Sequence, residues 1–221
     1  MRIGLFGGTF NPIHLGHLRA ALEVKSGFEL DKIFLIPAAV PPHKMQGNVA
    51  NAADRLELIN LSITADSGLS ASDVELKRSG PSYTIDTVSY FKQTLPADSM
   101  IYLVMGLDAF LELDTWKSYE ELLEQVPFIV IGRPNAEQQG ITAGRKCLDD
   151  YLRSSISPQY KYSVDQSCYR LPKKQPIYFF DVTSMDISST KIRALIKNGQ
   201  SAQYLVPEKV LEYMKSKGLY L

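Results

Sequence analysis

The chain is poor in cysteine, histidine and tryptophan, and it has no excess charge of either sign. Among its 221 residues there are two cysteines, Cys147 and Cys168, three histidines and one tryptophan. Two cysteines are too few for a disulfide scaffold or a zinc cage, and such sparing use fits a reducing cytosol, so a cytoplasmic location is expected. Lys and Arg total 24, as do Asp and Glu, for a formal net charge of zero. That balance argues against a nucleic-acid partner held through backbone phosphates, while leaving room for a local basic pocket. No apolar run approaches the length of a bilayer span. The first residues run directly into a strand, without a charged n-region and an apolar h-region, so neither a membrane partner nor a signal peptide is expected. Hydrophobic residues make up 45% and charged residues 22%, ordinary values for a soluble globular protein.

Short apolar runs alternate with helical patterns. Strands are expected at Ile3–Phe6, Lys32–Ile36, Ala71–Leu76, Met100–Met105, Phe128–Ile131 and Ile177–Asp181. Most are continuous apolar runs, as in strands buried on both faces. Helices are expected at Leu15–Ser26, Ala53–Ala65, Ile85–Thr94, Tyr119–Gln125, Ser189–Lys197 and Pro207–Lys217. This alternation predicts an α/β fold with a doubly wound parallel sheet and right-handed crossovers, in which ligands bind at the carboxyl ends of the strands. The length fits a single domain, 1–221, with a helical C-terminal part from 188. From Pro134 to Pro176 no clear strand is visible, although Cys147–Ile156 has helical character. That stretch reads as an insertion over the site or on the surface, as a lid or an oligomer contact.

The most informative segment is Gly4-Leu5-Phe6-Gly7-Gly8-Thr9-Phe10-Asn11-Pro12-Ile13-His14-Leu15-Gly16-His17. A strand runs into a glycine pair, a turn follows, and a helix starts with two histidines three residues apart, hence on one face. Backbone N–H groups at a helix start and the positive end of its dipole make an anion site suited to phosphate. Glycines let the backbone approach the ligand closely. No Gly-Lys-Ser/Thr follows, so this is not a Walker loop, and the G-x-G-x-x-G spacing is missing.

Four further groups fall just past strand ends. Pro41-Pro42-His43-Lys44 sets a lysine in a rigid loop, either as a phosphate contact or as an ordinary surface charge. Ile187-Ser188-Ser189-Thr190-Lys191-Ile192-Arg193 opens a helix capped by Ser188 or Ser189. Lys191 and Arg193 stand in its first turn, where the dipole disfavours cations, so a bound phosphate would offset them; removing Arg193 is expected to leave stability unchanged or raised. In Gly106-Leu107-Asp108, Gly106 admits a purine or ribose, and Asp108 suits ribose hydroxyls or a helix cap. Trp116 suits either stacking on a flat ring or core packing. Pro81-Ser82-Tyr83-Thr84-Ile85-Asp86-Thr87 begins a helix that also faces the strand ends.

The two segments Gly7–His17 and Ile187–Arg193 together resemble the paired signature of the nucleotidyltransferases related to class I aminoacyl-tRNA synthetases. Pro41–Lys44, Pro81–Thr87, Gly106-Leu107-Asp108 with Trp116, and Gly132-Arg133-Pro134 resemble the bacterial nicotinate mononucleotide adenylyltransferase family in particular. The likeness runs from residue 2 to about 215, with Asn11 standing where the family often has Asp. It implies a Rossmann-like nucleotidyltransferase fold and adenylyl transfer from ATP to nicotinate mononucleotide, giving nicotinate adenine dinucleotide and pyrophosphate. It implies catalytic roles for His14, His17, Lys44 and Arg193. ATP contacts are implied for Gly7, Gly8, Thr9, Phe10, Gly106, Asp108, Ile187, Ser188, Ser189 and Thr190, and acceptor contacts for Tyr83, Thr84, Trp116 and Arg133. Mg²⁺ is expected to arrive with ATP, without a resident protein metal site, and a homo-oligomer is compatible with the sequence.

Three rival readings remain in view. One keeps the chemistry and changes the acceptor, for example to phosphopantetheine. Another is a zinc hydrolase using His14, His17 and His43, a sufficient ligand set but with no general-base carboxylate nearby. The third is a nucleotide-binding regulator without catalysis.

Overall fold

The computed structural model describes residues 1–39, 49–132 and 141–221. Five strands run at the places the apolar runs predict, and a sixth, β3, lies close to its place: β1 (Arg2–Gly8), β2 (Lys32–Pro37), β3 (Leu69–Ala71), β4 (Met100–Gly106), β5 (Phe128–Gly132) and, after a hairpin, β8 (Ile177–Asp181). Together with the hairpin strands β6 (Lys161–Ser163) and β7 (Cys168–Arg170) they form one eight-stranded sheet in the order β3-β2-β1-β4-β5-β8-β7-β6. The first six of that order are parallel, and β7 and β6 continue it antiparallel.

Burial on both faces explains the continuous apolar runs. In β5 all five residues are buried. Phe128 and Val130 join the core on one side, and Ile129 and Ile131 join the core on the other. The period of two along a strand divides the sheet's side chains between two layers. One face is covered by α1 (Leu15–Gly27), α2 (Ala52–Ser62), α7 (Ser189–Lys197) and α8 (Glu208–Ser216). The other is covered by α3 (Thr84–Thr94), α5 (Tyr119–Gln125) and α6 (Ile141–Tyr151). A short α4 (Leu107–Phe110) follows β4 directly.

Strand β1 pairs with β2 on one side and β4 on the other. The crossovers diverge there, so a crevice opens at the carboxyl ends of β1 and β4, the switch point where doubly wound sheets bind ligands. The β1–β4 register ends at Phe6 opposite Val104, and continuing it sets Gly8 level with Gly106.

Two expectations are corrected. The third strand lies at Leu69–Ala71, not Ala71–Leu76. Past Ala71 the chain makes one more ladder bond, Ser72 N to Leu35 O at 3.0 Å, then turns, with Lys77 N donating to Asp73 O at 3.1 Å. Val74 is buried from the turn, and the Glu75 carboxylate is occupied by the Thr87 hydroxyl at 2.7 Å. The stretch expected to lack strands contributes the β6–β7 hairpin, with Tyr162 opposite Tyr169 and their rings 5.2 Å apart. Helix α6 runs on into a π-helical turn at Leu152–Ile156, and Leu148, Leu152, Tyr160 and Tyr169 are buried in the core beside β5 and β8. Three-residue strands bearing lysines and serines carry too little alternation to stand out in a sequence. Among the described residues no helix is long and apolar enough to cross a membrane.

Leu5 is wholly buried in the central strand. Leu5→Ala is expected to cost about 2–5 kcal/mol in a urea titration, the transfer loss plus an unfilled cavity.

Candidate active site

Strand β1 delivers Gly7 and Gly8 to the crevice. Gly7 is exposed, and a Cβ there would meet nothing within 4 Å, so its backbone lies open to a ligand. A Cβ on Gly8 would lie 3.1 Å from the Phe10 ring, and Phe10 itself is buried with φ at 45°. The chain continues through a cis Asn11–Pro12 peptide to His14, which stands at the N-cap position of α1 without capping it by its side chain. His14 is therefore one position ahead of the helix rather than inside it, yet its ring still meets that of His17. The two imidazoles stack at 3.7 Å between centroids with a 27° tilt, and Phe10 meets His17 edge-on at 5.1 Å. His14 is buried and His17 half-buried. Stacked rings point their nitrogens along parallel planes, an arrangement suited to lining an anion site rather than converging on one metal ion. Among the described residues no group of three or more His, Cys, Asp or Glu side chains is placed to hold a metal.

Helix α7 brings the second signature to the first. Ser188 caps it by accepting from Lys191 N at 3.1 Å, and Ser189 Oγ donates to Pro12 O at 2.9 Å. Arg193 Nη1 donates to Asn11 O at 2.8 Å, and Nη2 to Thr190 Oγ1 at 3.3 Å. Lys191 turns outward to Asp186 at 3.1 Å. Arg193 is thus held by a carbonyl and a hydroxyl oxygen, so its removal strips one hydrogen bond from the glycine loop.

Two residues that sequence reasoning missed hold the same loop from below. Arg55 of α2 is 1% exposed. Its guanidinium donates to Thr9 O at 2.8 Å, Ala50 O at 2.9 Å, Ala38 O at 2.6 Å and Ala39 O at 3.3 Å. Burial draws its pKa down from the usual guanidinium value, with Tyr220 and Glu75 opposing. Tyr220 donates its hydroxyl to Asn11 Oδ1 at 2.9 Å, and the same oxygen accepts from Ala50 N at 3.0 Å. Burial drives the Tyr220 phenol well above its ordinary pKa, against the pull of Arg193 and Arg55, so it remains a neutral donor. Nothing in the local sequence announces either residue, because their partners are backbone or side-chain oxygens of distant loops.

A third group lies past β4 and at the start of α3. Asp108 is exposed in the first turn of α4, whose N-cap position is Gly106. Trp116 is half-buried against the core. Tyr83 occupies the N-cap position of α3, and Thr84 begins that helix. Ser82 Oγ accepts from Ala39 N at 2.9 Å, tying this turn to the end of β2. Lys117 links Tyr83 to the tryptophan loop: its Nζ lies 4.4 Å from the Tyr83 ring centroid and 3.7 Å from Asp86 Oδ2. Ile187 is buried in the core ahead of α7. His43, Lys44, Arg133 and Pro134 fall outside the described residues.

A doubly wound sheet with paired histidines at its switch point and two helix starts tied over one glycine loop defines a nucleotidyltransferase type of site. The sequence pattern of the Cytidylyltransferase-like family matches residues 5–195. A relative from Desulfatibacillum aliphaticivorans is 43% identical over the whole of both chains, and one from Geobacter sp. (strain M21) is 38% identical over 100% of this chain and 99% of its own. Both bear the name "Probable nicotinate-nucleotide adenylyltransferase". The fold is that of the Plasmodium falciparum nicotinic acid mononucleotide adenylyltransferase solved with NaAD, at a TM-score of 0.70 and 17% identity over 99% of this chain and 97% of that one. The chain belongs to the cytidylyltransferase-like family and, within it, to the nicotinate-nucleotide adenylyltransferases.

Arg193→Ala is expected to lower stability by about 1–3 kcal/mol, the cost of leaving the Asn11 carbonyl without its donor. A thermal melt checks this; a Tm that stays level or rises would show that relief at the α7 dipole outweighs the lost bonds.

Proposed function

We propose that this enzyme transfers the adenylyl group of ATP to nicotinate mononucleotide and releases nicotinate adenine dinucleotide and pyrophosphate. The observation that carries the reading is the closure of the glycine loop by α7 over the stacked histidines. That arrangement suits a triphosphate bound at the switch point, next to two helix starts. The acceptor phosphate is already an anion and needs no strong base. One of its oxygens attacks the α-phosphorus in line, the bond from that phosphorus to the bridging oxygen breaks, and pyrophosphate leaves on the opposite side. Catalysis then consists of positioning and of stabilising charge on the phosphoryl oxygens.

In this reading His17 donates to the phosphoryl oxygens, with His14 stacked behind it to fix its ring. Gly7, Gly8 and Thr9 bring backbone to the phosphates while Phe10 props the loop. Arg193 and Lys44 add cationic charge. Ser188, Ser189 and Thr190, preceded by Ile187, form the second wall of the triphosphate site. Gly106 and Asp108 receive the adenosine, and Tyr83, Thr84, Trp116 and Arg133 receive the acceptor. Mg²⁺ arriving with ATP would be held by triphosphate oxygens and water and would neutralise charge there. The sparing use of cysteine, with Cys147 exposed and both thiols free, supports a reducing cytoplasmic setting, and the chain acts as a single catalytic domain.

Pyrophosphate release from ATP in the presence of nicotinate mononucleotide tests the reading, with phosphopantetheine as the comparison acceptor. Turnover with phosphopantetheine alone would redirect it to another acceptor class. His17→Ala is expected to lower kcat by about 10²–10³ while leaving ATP affinity nearly constant, as for loss of a donor to the transition state. Unchanged kcat in a folded mutant would remove His17 from the mechanism.

Trp116→Ala is expected to raise the acceptor KM and spare that of ATP, because a flat electron-poor ring gains most from an aromatic platform. A loss of ATP affinity instead would put the adenine against Trp116.

A further inference from the structure

The geometry points to Lys117 and Asp86 as an opposed pair that sets how strongly the acceptor pocket prefers an acidic ring over its neutral amide. The inference rests on the adenylyl-transfer reading above and concerns the acceptor end of that same site.

Lys117 directly follows the half-buried Trp116, and its ammonium lies 4.4 Å from the centre of the Tyr83 ring. It reaches across from the tryptophan loop to α3, where Asp86 Oδ2 lies 3.7 Å away. One aromatic ring, one cation and one carboxylate thus meet at one rim, the cation being the chain neighbour of Trp116. Lys117 and Asp86 are about half exposed, with side-chain accessibilities of 49% and 45%. Neither is needed for packing. An exposed ion pair of this kind adds little to stability, and its dominant effect is on the field at the aromatic faces beside it.

The two acceptors that share a pyridine ring and a ribose phosphate differ at one group. Nicotinate carries a carboxylate, and nicotinamide carries an uncharged amide of almost the same shape. A pocket that reads shape alone cannot separate them well, whereas a fixed charge reads the difference directly. The Lys117 ammonium attracts the carboxylate and is indifferent to the amide. Asp86 repels the carboxylate and partly cancels the ammonium. Because the two act on the ground-state complex and on the transition state alike, their effect belongs in the acceptor KM and leaves kcat in place. Because both are partly in water, it is moderate in size and weakened by salt.

The test is the ratio of kcat/KM for nicotinate mononucleotide over nicotinamide mononucleotide, measured for the unsubstituted enzyme, Lys117→Met and Asp86→Asn. Lys117→Met is expected to lower the ratio by about three- to fivefold, the range of a half-exposed charge pair, through a higher KM for nicotinate mononucleotide. Asp86→Asn is expected to move the ratio the opposite way, and both shifts should shrink at about 1 M salt, where the screening length is about 3 Å. The quench of Trp116, the only tryptophan in the chain, gives the same two affinities without turnover. A merely structural pair would move both mononucleotides together and in one direction for both variants. Either that outcome or an unchanged ratio in active Lys117→Met enzyme overturns the inference and leaves the adenylyl-transfer reading standing. Absence of transfer to either mononucleotide by the unsubstituted enzyme would sink the reading and this inference with it.

Discussion

The hydrogen bond from Arg193 to the Asn11 carbonyl closes the chain on itself across 182 residues. Everything at the switch point depends on that closure. Without it β1 ends in a glycine pair, and glycine resists ordering because it has the most backbone freedom to lose. With it, and with Ser189 on the Pro12 carbonyl, the loop is held from the α7 side. Arg55 and Tyr220 hold it from beneath. Asn11 serves three donors at once, through its main-chain oxygen to Arg193 and its side-chain oxygen to Tyr220 and Ala50. An amide at this position takes those bonds without adding a negative charge to the loop.

Much of the architecture was legible because burial on both faces leaves a plain mark. Ile129 and Val130 face opposite cores, so β5 has no polar position to blur its pattern. The paired signatures were legible for a different reason, since strand, glycine turn and helix start are each local and each has its own chemistry. The β6–β7 hairpin was not legible. Its strands are three residues long, and its burial rests on Tyr169 and Cys168 among polar neighbours. Arg55 was hidden for a physical reason too. A guanidinium that binds four carbonyls of three loops leaves no complementary acid in the sequence to point to it. Nor could spacing reveal that Lys117 crosses to Tyr83, because a cation–aromatic contact between separate elements has no sequence period.

The candidate site divides into two halves built on different principles. The glycine-loop half, proposed above to hold phosphate, is made of main-chain groups pinned by buried donors, and pinned groups lose little on reorganisation. The acceptor half is made of side chains at a half-exposed rim, where Tyr83, Trp116, Lys117 and Asp86 meet solvent. Chemistry common to a whole superfamily belongs on the first, and discrimination between similar ligands belongs on the second, where one substitution alters recognition without disturbing the strand ends.

The closure has a bearing on how the molecule is made. Synthesis runs from the N-terminal side, so the glycine loop is made well before α7. The residues that fasten it, Ser189, Arg193 and Tyr220, come almost two hundred positions later. Until they emerge, the Asn11 and Pro12 carbonyls have no donor from α7. Closure of the loop therefore waits for α7, whatever the order in which the strands pair.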